Sequence, residues 1–199
     1  MTGDDAIVLI GAGGHAAVVL DALQAAGHAG PVAIWASAAP SDTLLDVPVH
    51  IGMPDPAVYP PAQWRAHVAI GDNAARERIS KALSAQGYGL ATIRHPAAVL
   101  STHAQVGPGS VLMAGAVVNP RARVGRGAIL NTSAVIEHDC TLGDWCHVSP
   151  GAVMAGDSHA GTGCWLGAGS VLRQGARLRA GITVGANAVV LDSLTEPGT

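Results

Sequence analysis

Phenylalanine is absent from this chain of 199 residues, and tryptophan and tyrosine number only four and two. Glycine is plentiful instead, with 26 residues, and the 49% of the chain that is hydrophobic consists mostly of alanine, valine and leucine. Because aromatic side chains supply much of the volume of a wide core, their scarcity predicts a narrow core made of small aliphatic side chains.

Charged residues are also scarce. The chain has 11 Lys and Arg residues against 14 Asp and Glu residues, a formal net charge of -3, and no basic run. Nucleic acids and anionic membranes are bound through clustered positive charge, so we expect small-molecule partners and no nucleic acid. No segment approaches the roughly 20 apolar residues of a spanning helix, and the start MTGDDAIVLI lacks the basic region of a secretory signal. We therefore expect a cytoplasmic protein without membrane insertion.

Residues 1–95 alternate strand-like and helix-like segments, which is the pattern of a parallel α/β unit. The helical segments are AAVVLDALQAAG (16–27), which Gly27 closes, and DNAARERISKALSAQG (72–87), which Asp72 or Asn73 can cap. The strand-like segments are AIVLI (6–10), VAIWA (32–36), HVAIG (67–71) and LATIR (90–94). The sequence predicts a small Rossmann-like sheet for this half.

Residues 96–199 follow a period of six. Aliphatic residues recur at every sixth position, namely Leu100, Val106, Leu112, Val118, Val124, Leu130, Ile136, Leu142, Val148, Met154, Ala160, Leu166, Leu172, Leu178, Val184 and Val190. A small residue follows four positions later in nearly every repeat. An amphipathic helix requires a period near 3.6 and a hairpin sheet a period of two, so the pattern predicts a hexapeptide β-solenoid with about five coils.

The three cysteines fit this repeat. Cys140, Cys146 and Cys164 all occupy the small inward position and form no CxxC pair. A thiol in a core behaves as a small hydrophobe, so we expect core residues and neither a disulfide framework nor a zinc site.

The α/β half followed by an uninterrupted hexapeptide solenoid resembles the sialic acid O-acetyltransferase and nucleotide-sugar N-acetyltransferase family of bacterial glycan pathways. The resemblance covers nearly the whole chain. Its motifs are IGAGGH (10–15), IGDN (70–73) with Arg76, HPAAVLS (95–101) and NTSAVIEHDCTLGDWCHVSPGA (131–152). It implies a left-handed parallel β-helix, a homotrimer with active sites between neighbouring solenoids, and acetyl transfer from acetyl-CoA to a sugar amine or hydroxyl.

The resemblance also implies roles for individual residues. His138 matches the catalytic base and Asp139 the acid that partners it, with Glu137 as the reserve. His147 matches a residue that meets the acetyl-CoA thioester, and the backbone of Ala168 and Ala186 matches the pantetheine path. The acceptor-binding positions are Gly13, Gly14, His15, Gly71, Asp72 and Asn73.

The repeat phase and the chemistry support His138. It stands two residues after inward Ile136, near a corner of the coil, and Gly156 lies one coil further along, where it leaves room for a ligand and offers an N–H to a developing oxyanion. A neutral imidazole can deprotonate an amine near neutral pH, and a carboxylate on its other nitrogen fixes the tautomer.

Two alternative sites fit less well. Some hexapeptide solenoids bind zinc through three histidines, but His138, His147 and His159 are 9 and 12 positions apart and Thr102 stands 36 before His138, so we expect no metal. GAGGHA (11–16) fits the loose dinucleotide pattern GxGxxG/A, yet the second strand ends in Trp-Ala-Ser without the carboxylate that would bind the ribose.

The sequence therefore predicts an acetyl-CoA-dependent N-acetyltransferase that acts on a nucleotide-linked amino sugar by direct transfer. Residues 1–95 would bind the acceptor, and residues 96–199 would bind acetyl-CoA and carry the catalytic residues. The alternatives are O-acetylation of sialic acid or another sugar hydroxyl, and a solenoid that serves only as a scaffold.

Overall fold

The computed structural model describes residues 5 to 194, and the chain divides after Pro96 into two units. We expect no secretory signal at the N-terminus, but residues 1–4 of that segment lie outside the described residues. Within residues 5–194, no helix combines the length and the apolar character that crossing a membrane requires.

The first unit is an α/β domain, as predicted. Its elements are β1 (Ala6–Ile10), α1 (Gly14–Ala25), β2 (Val32–Ala36), β3 (Thr43–Leu44), β4 (Val47–Ile51), β5 (Trp64–Val68), α2 (Asn73–Ala85), β6 (Gly89–Leu90) and β7 (Ile93–Arg94). The sheet has the order β3-β4-β2-β1-β5-β6, and its pairs are parallel except for the antiparallel pair of β3 and β4.

Three details of this sheet differ from the sequence prediction. The third predicted strand begins at Trp64 instead of His67, because Ala6 pairs with Trp64 and Ile10 with Val68. The β3–β4 hairpin was not predicted, since its strands are short and mostly exposed. The segment LATIR is divided between β6 and β7.

Two turns of this domain place backbone N–H groups at the carboxyl edge of the sheet. Gly11, after β1, has a φ of +129°, and a Cβ there would lie 2.6 Å from the carbonyl oxygen of Ala69, so only glycine fits. Asp72 is the N-cap of α2 and its carboxylate accepts the N–H of Ala75 at 2.7 Å.

The second unit is a parallel β-solenoid of hexapeptide repeats, as predicted. Up to residue 194 its strands are β8 (Val99–Leu100), β9 (Gln105–Val106), β10 (Val111–Leu112), β11 (Val117–Val118), β12 (Arg123–Val124), β13 (Ile129–Leu130), β14 (Val135–Ile136), β15 (Thr141–Leu142), β16 (His147–Val148), β17 (Val153–Met154), β18 (His159–Ala160), β19 (Trp165–Leu166), β20 (Val171–Leu172), β21 (Arg177–Leu178), β22 (Thr183–Val184) and β23 (Val189–Val190).

Every third strand pairs in parallel with residues 18 positions apart, such as Val117 with Val135, so three sheets form the faces of a prism. We call the face of β8, β11, β14, β17, β20 and β23 the valine face, because its outward residues are Val99, Val117, Val135, Val153, Val171 and Val189. The face of β9, β12, β15, β18 and β21 carries polar or charged outward residues, such as Arg123. The face of β10, β13, β16, β19 and β22 is mixed, with Val111, Ile129 and Trp165 beside His147 and Thr183.

The solenoid core is narrow. The second residue of each strand points inward and packs with the small residue of the next turn, and together these positions form one continuous apolar cluster. Cys140, Cys146 and Cys164 lie in that cluster with no exposed surface. Side chains as small as these let three sheets approach closely around one axis, so the corners between sheets are sharp and exposed.

Candidate active site

The turn Glu137-His138-Asp139 projects from the corner between β14 and β15. Nδ1 of His138 lies 2.8 Å from Oδ2 of Asp139, and the imidazole is 53% exposed. Because an ionised carboxylate can only accept, Nδ1 carries the proton and donates it to Asp139. Nε2 is then the unprotonated nitrogen, able to accept a proton from a ligand.

The preceding coil supports both acids of this turn. Arg121 donates from Nε to Oδ1 of Asp139 at 2.6 Å and from Nη2 to Oδ2 at 2.7 Å. Asn119 donates its amide to Oε2 of Glu137 at 2.9 Å. Arg121, and then His138, hold the pKa of Asp139 well below its usual value through these hydrogen bonds. Asp139 therefore stays a carboxylate throughout the physiological range.

Charged residues occupy left-handed backbone at this corner, whereas the other non-glycine residues with a positive φ in the described solenoid, Ser133, Trp145 and Asn187, are uncharged. Arg121, Asp139 and Asp157 stack on successive coils with φ angles of +64°, +62° and +56°, whereas Gly175 takes that place on the next coil with a φ of +72°. A left-handed backbone is unfavourable for any residue with a Cβ. Charged side chains are held here at positions where glycine would be less strained, which points to a use for them.

Gly156 lies against the imidazole from the following coil. A Cβ on Gly156 would lie 2.7 Å from Cε1 and 2.8 Å from Nε2 of His138. The ring therefore occupies the space that the missing side chain leaves, and the structure brings His138, Asp139 and Gly156 together.

An open cleft of about 430 Å³ adjoins this corner. Arg121, Asp139 and Asp157 line it, together with the side chains of His103, Gln105 and Arg123. Its walls are polar and carry charges of both signs.

His147 lies on a different face of the solenoid, on β16, and is nearly buried. The amide of Asn131 is fixed because its Oδ1 accepts the N–H of Thr132 at 2.8 Å, so its Nδ2 donates to Nε2 of His147 at 3.2 Å. Trp165 stacks on the same ring with a centroid separation of 5.7 Å and an interplanar angle of 2°. These contacts hold His147 in a fixed orientation.

Ala168 and Ala186 line a second cleft, of about 340 Å³, with Trp165 as its large apolar wall. The indole is 47% exposed and its Nε1 donates to Oγ of Ser149 at 2.8 Å. Sequence reasoning did not single out Trp165. The available signal was an aromatic residue at an outward position of a repeat that otherwise contains few aromatics.

The two solenoid clefts lie at opposite edges of the valine face. His138 is in the turn that follows this face, whereas Ala168 and Ala186 are in turns that precede it, between β19 and β20 and between β22 and β23. A single chain therefore does not bring His138 together with the cleft of Ala168 and Ala186.

In the first unit, the glycine-rich turn after β1 opens into a cleft of about 520 Å³. Gly13, Gly14, His15 and Gly71 all line it. Asp72 and Asn73 do not: Asp72 caps α2, and Oδ1 of Asn73 accepts from Nη2 of Arg76 at 2.7 Å. The N–H groups that begin α1 point toward this space, an arrangement that suits an anion.

Arg76 is buried behind this cleft and braces its floor. Its Nη1 donates to the carbonyl oxygens of Ile70 and Gly71, at 3.0 Å in each case. Burial, and then the positive charge of Arg76, lower the pKa of His15 to about 4. His15 is therefore a neutral imidazole at physiological pH, and the fixed positive charge nearby belongs to Arg76.

The described part of the chain contains no cluster of metal-binding side chains. Residues 5–194 contain no group of three or more His, Cys, Asp or Glu side chains arranged to hold a metal ion.

Comparison with known proteins gives two family matches. Residues 6–83 match the PglD N-terminal domain, and residues 121–156 match the bacterial transferase hexapeptide (six repeats). No curated protein matches this chain.

Several solved structures are similar over nearly the whole chain. The acetyltransferase domain of PglB from Neisseria gonorrhoeae FA1090, in complex with acetyl coenzyme A, is 33% identical with a TM-score of 0.91, covering 96% of this chain and 93% of that chain. PerB from Caulobacter crescentus, in complex with CoA and GDP-perosamine, is 36% identical with a TM-score of 0.88, covering 95% and 90%. WeeI from Acinetobacter baumannii AYE, at 20% identity and a TM-score of 0.74 over 92% and 94%, shares the fold.

Proposed function

The chain belongs to the family of hexapeptide-repeat sugar acetyltransferases with a PglD-type N-terminal domain, and from this premise we propose that it acetylates the amino group of a nucleotide-linked amino sugar. Acetyl-CoA is the co-substrate, as it is the ligand in the similar PglB domain. PerB, at 36% identity, binds CoA and GDP-perosamine, which favours an amino sugar carried on a nucleoside diphosphate.

The observation that carries this proposal is the arrangement around His138. Asp139 accepts the Nδ1–H at 2.8 Å and leaves Nε2 as a base on an exposed corner. As the sugar nitrogen attacks the thioester carbonyl, Nε2 takes its proton. The C–S bond then breaks, and the imidazolium returns the proton to the departing CoA thiolate. Asp139 stabilises the imidazolium between these two steps.

The donor site is proposed to be the cleft of Ala168 and Ala186. Small residues and Trp165 line this open cleft, whose mostly apolar surface suits the thin chain of pantetheine. His147, fixed by Asn131 and Trp165, stands on the same face as this cleft and would meet the acetyl end. The N–H of Gly156 is proposed to contact the thioester oxygen as negative charge develops there.

The acceptor is proposed to bind in the first unit. The start of α1 at Gly13 and Gly14 would bind the diphosphate through backbone N–H groups, with His15 and Gly71 lining the same cleft. Asp72 and Asn73 would contribute indirectly, Asp72 by capping α2 and Asn73 by accepting a hydrogen bond from Arg76. No carboxylate lines this cleft within the described residues, which leaves Ser37 as the polar side chain at the end of β2.

A homotrimer would complete the site. The valine face carries apolar side chains along its length: Val99 and Val189 at its two ends are 60% and 58% exposed, and the four valines between them are partly exposed. A second copy that covers this face would bury them. His138 and the donor cleft flank opposite edges of the same face. A neighbour packed on it would therefore set its own donor cleft near His138, which supports a site shared between chains.

The test is release of free CoA thiol from acetyl-CoA with a panel of acceptors: GDP- and UDP-linked amino sugars, the same nucleotide sugars with a hydroxyl in place of the amine, and sialic acid. We expect turnover only with the amines. His138→Ala should lower kcat by about 10²–10⁴-fold, and His159→Ala, the same change on an outward position of β18, should stay within about twofold of the parent enzyme.

Three results would refute the proposal. Turnover restricted to hydroxyl acceptors would make the protein an O-acetyltransferase. No thioester cleavage with any acceptor would favour a scaffold. A His138→Ala variant as active as His159→Ala would show that His138 is not the base.

A further inference from the structure

Among the described residues of the solenoid, Arg121 makes the shortest ion pair, and it is bidentate. Both ends of its guanidinium fork engage Asp139, at 2.6 Å and 2.7 Å, from the coil before. Oδ2 of Asp139 is shared, because it also accepts from Nδ1 of His138 at 2.8 Å. The three side chains therefore form a continuous chain from guanidinium to carboxylate to imidazole.

This chain is unlike an ordinary surface pair in two respects. Its two charged members both occupy left-handed backbone, with φ angles of +64° and +62°, so the backbone fixes where each side chain begins. A bidentate Arg–carboxylate pair also fixes the plane of the carboxylate. With that plane fixed, the oxygen that faces His138 cannot turn away from the ring.

We propose that Arg121 is a positioning residue of the acyl-transfer site, which locks the Asp139 carboxylate against His138 and offsets the negative charge around the ring. This inference rests on the proposed function, in which His138 is the base. Arg121 touches neither substrate in this role and acts only through Asp139.

The charge around His138 explains why an offset is needed. Asp139 contacts the ring, Glu137 accepts the backbone N–H of His138 at 3.4 Å, and Asp157 lines the cleft from the next coil. These three carboxylates place negative charge around His138, and a protonated imidazole cannot act as a base. Arg121, from the preceding coil, is the cation that contacts this group, while Arg123 and His103 lie further along the same cleft. Removing the Arg121 charge should therefore make the ring easier to protonate.

The test is the pH dependence of kcat/KM for Arg121→Gln and Arg121→Lys at fixed ionic strength. Arg121→Gln should lower kcat by about tenfold, since the base is less well oriented, and shift the acid limb of the profile upward by about 0.5 pH unit, the size expected for one solvent-screened charge. Arg121→Lys keeps the charge and loses the fork. It should keep the acid limb in place and recover part of kcat.

The chain offers a matched control in Arg126 and Asp144. They are also 18 residues apart on a corner, with Nε 3.0 Å from Oδ2 and similar exposure, but with no histidine beside the acid. Arg126→Gln should leave both kcat and the acid limb unchanged. If it reproduces the Arg121→Gln profile, the effect is general to solenoid ion pairs and the inference is wrong.

The His138→Ala variant separates this inference from the function beneath it. If His138→Ala is inactive but Arg121→Gln has the parent profile, only the role of Arg121 is refuted. If His138→Ala retains full turnover, the base is misassigned and the role of Arg121 falls with it.

Discussion

At the scale of single residues, the space beside His138 is set by Gly156. A methyl group at that position would lie within 2.8 Å of two imidazole atoms, closer than unbonded carbon and nitrogen approach. Gly156 has no positive φ, so alanine costs nothing in the backbone. We predict that Gly156→Ala pushes the ring away from Asp139 and lowers kcat by about tenfold to a hundredfold, as loss of an oriented base does.

The measurement is kcat alongside the melting temperature. The imidazole is half exposed and can move outward, so the melting temperature should change by no more than a few degrees. Full activity in Gly156→Ala would show that the observed position of the ring is not the one used in the reaction.

The sequence predicted the residues of one motif and, from the repeat phase, Gly156 one coil later, but it did not predict the side chains that reach this turn from the coil before. His138 and Asp139 are adjacent in the chain, and the corner phase placed them outside the core. Arg121 and Asn119 contact Asp139 and Glu137 from 18 residues earlier in the chain. A single sequence does not show which polar side chain reaches across to the next coil. Asp72 and Asn73 lie in a motif, yet they contact α2 and Arg76 instead of the cleft.

At the scale of elements, β5 carries a buried histidine between β1 and β6 of the N-terminal sheet. His67 is 1% exposed and its Nδ1 donates to the carbonyl oxygen of Ala91 at 2.9 Å. Burial is the main cause that lowers its pKa from 6.5 to about 4. Between these two values the unfolded chain binds a proton that the fold excludes, so stability is full above pH 6.5 and falls as the pH drops toward 4.

We therefore predict that His67 alone makes the N-terminal domain about 2 kcal/mol less stable at about pH 5 than at about pH 7. The measurement is urea denaturation across this range, with hydrogen exchange of the β1 and β5 amides to locate the loss. His67→Gln retains a donor for Ala91 but cannot titrate, so its stability should fall less steeply with acid. Equal slopes for the two proteins would contradict the buried-histidine account.

The strands of the solenoid were predictable because each hexapeptide has the same packing requirement. One aliphatic residue and one small residue per turn must fill a narrow prism, and no insertion disturbs the phase from β8 to β23. The N-terminal strands have no such period. For β5, the sequence predicted only the segment that begins at His67, whereas pairing with β1 extends the strand back to Trp64. The β3–β4 hairpin is mostly exposed, so it lacks the alternation of buried residues that would have predicted it.

At the scale of the whole molecule, the valine face lies between two clefts, one beside His138 and one lined by Ala168 and Ala186. Six strands spaced about 4.8 Å apart make an apolar ladder roughly 24 Å long. The proposed catalytic turn follows this ladder and the proposed donor cleft precedes it, so activity and assembly should be lost together if the face is a subunit interface.

We predict that Val135→Lys combined with Val153→Lys gives monomers that bind acetyl-CoA weakly and turn over at least about a hundredfold more slowly, since two charges cannot be buried in an apolar interface. Both positions point outward, so far-UV circular dichroism should remain that of the folded chain. Light scattering measures the mass, and His159→Lys, on the polar face of β18, should remain a trimer with normal turnover. A double variant that is still trimeric would place the interface on another face, and an active monomer would mean that one chain assembles the site without a neighbour.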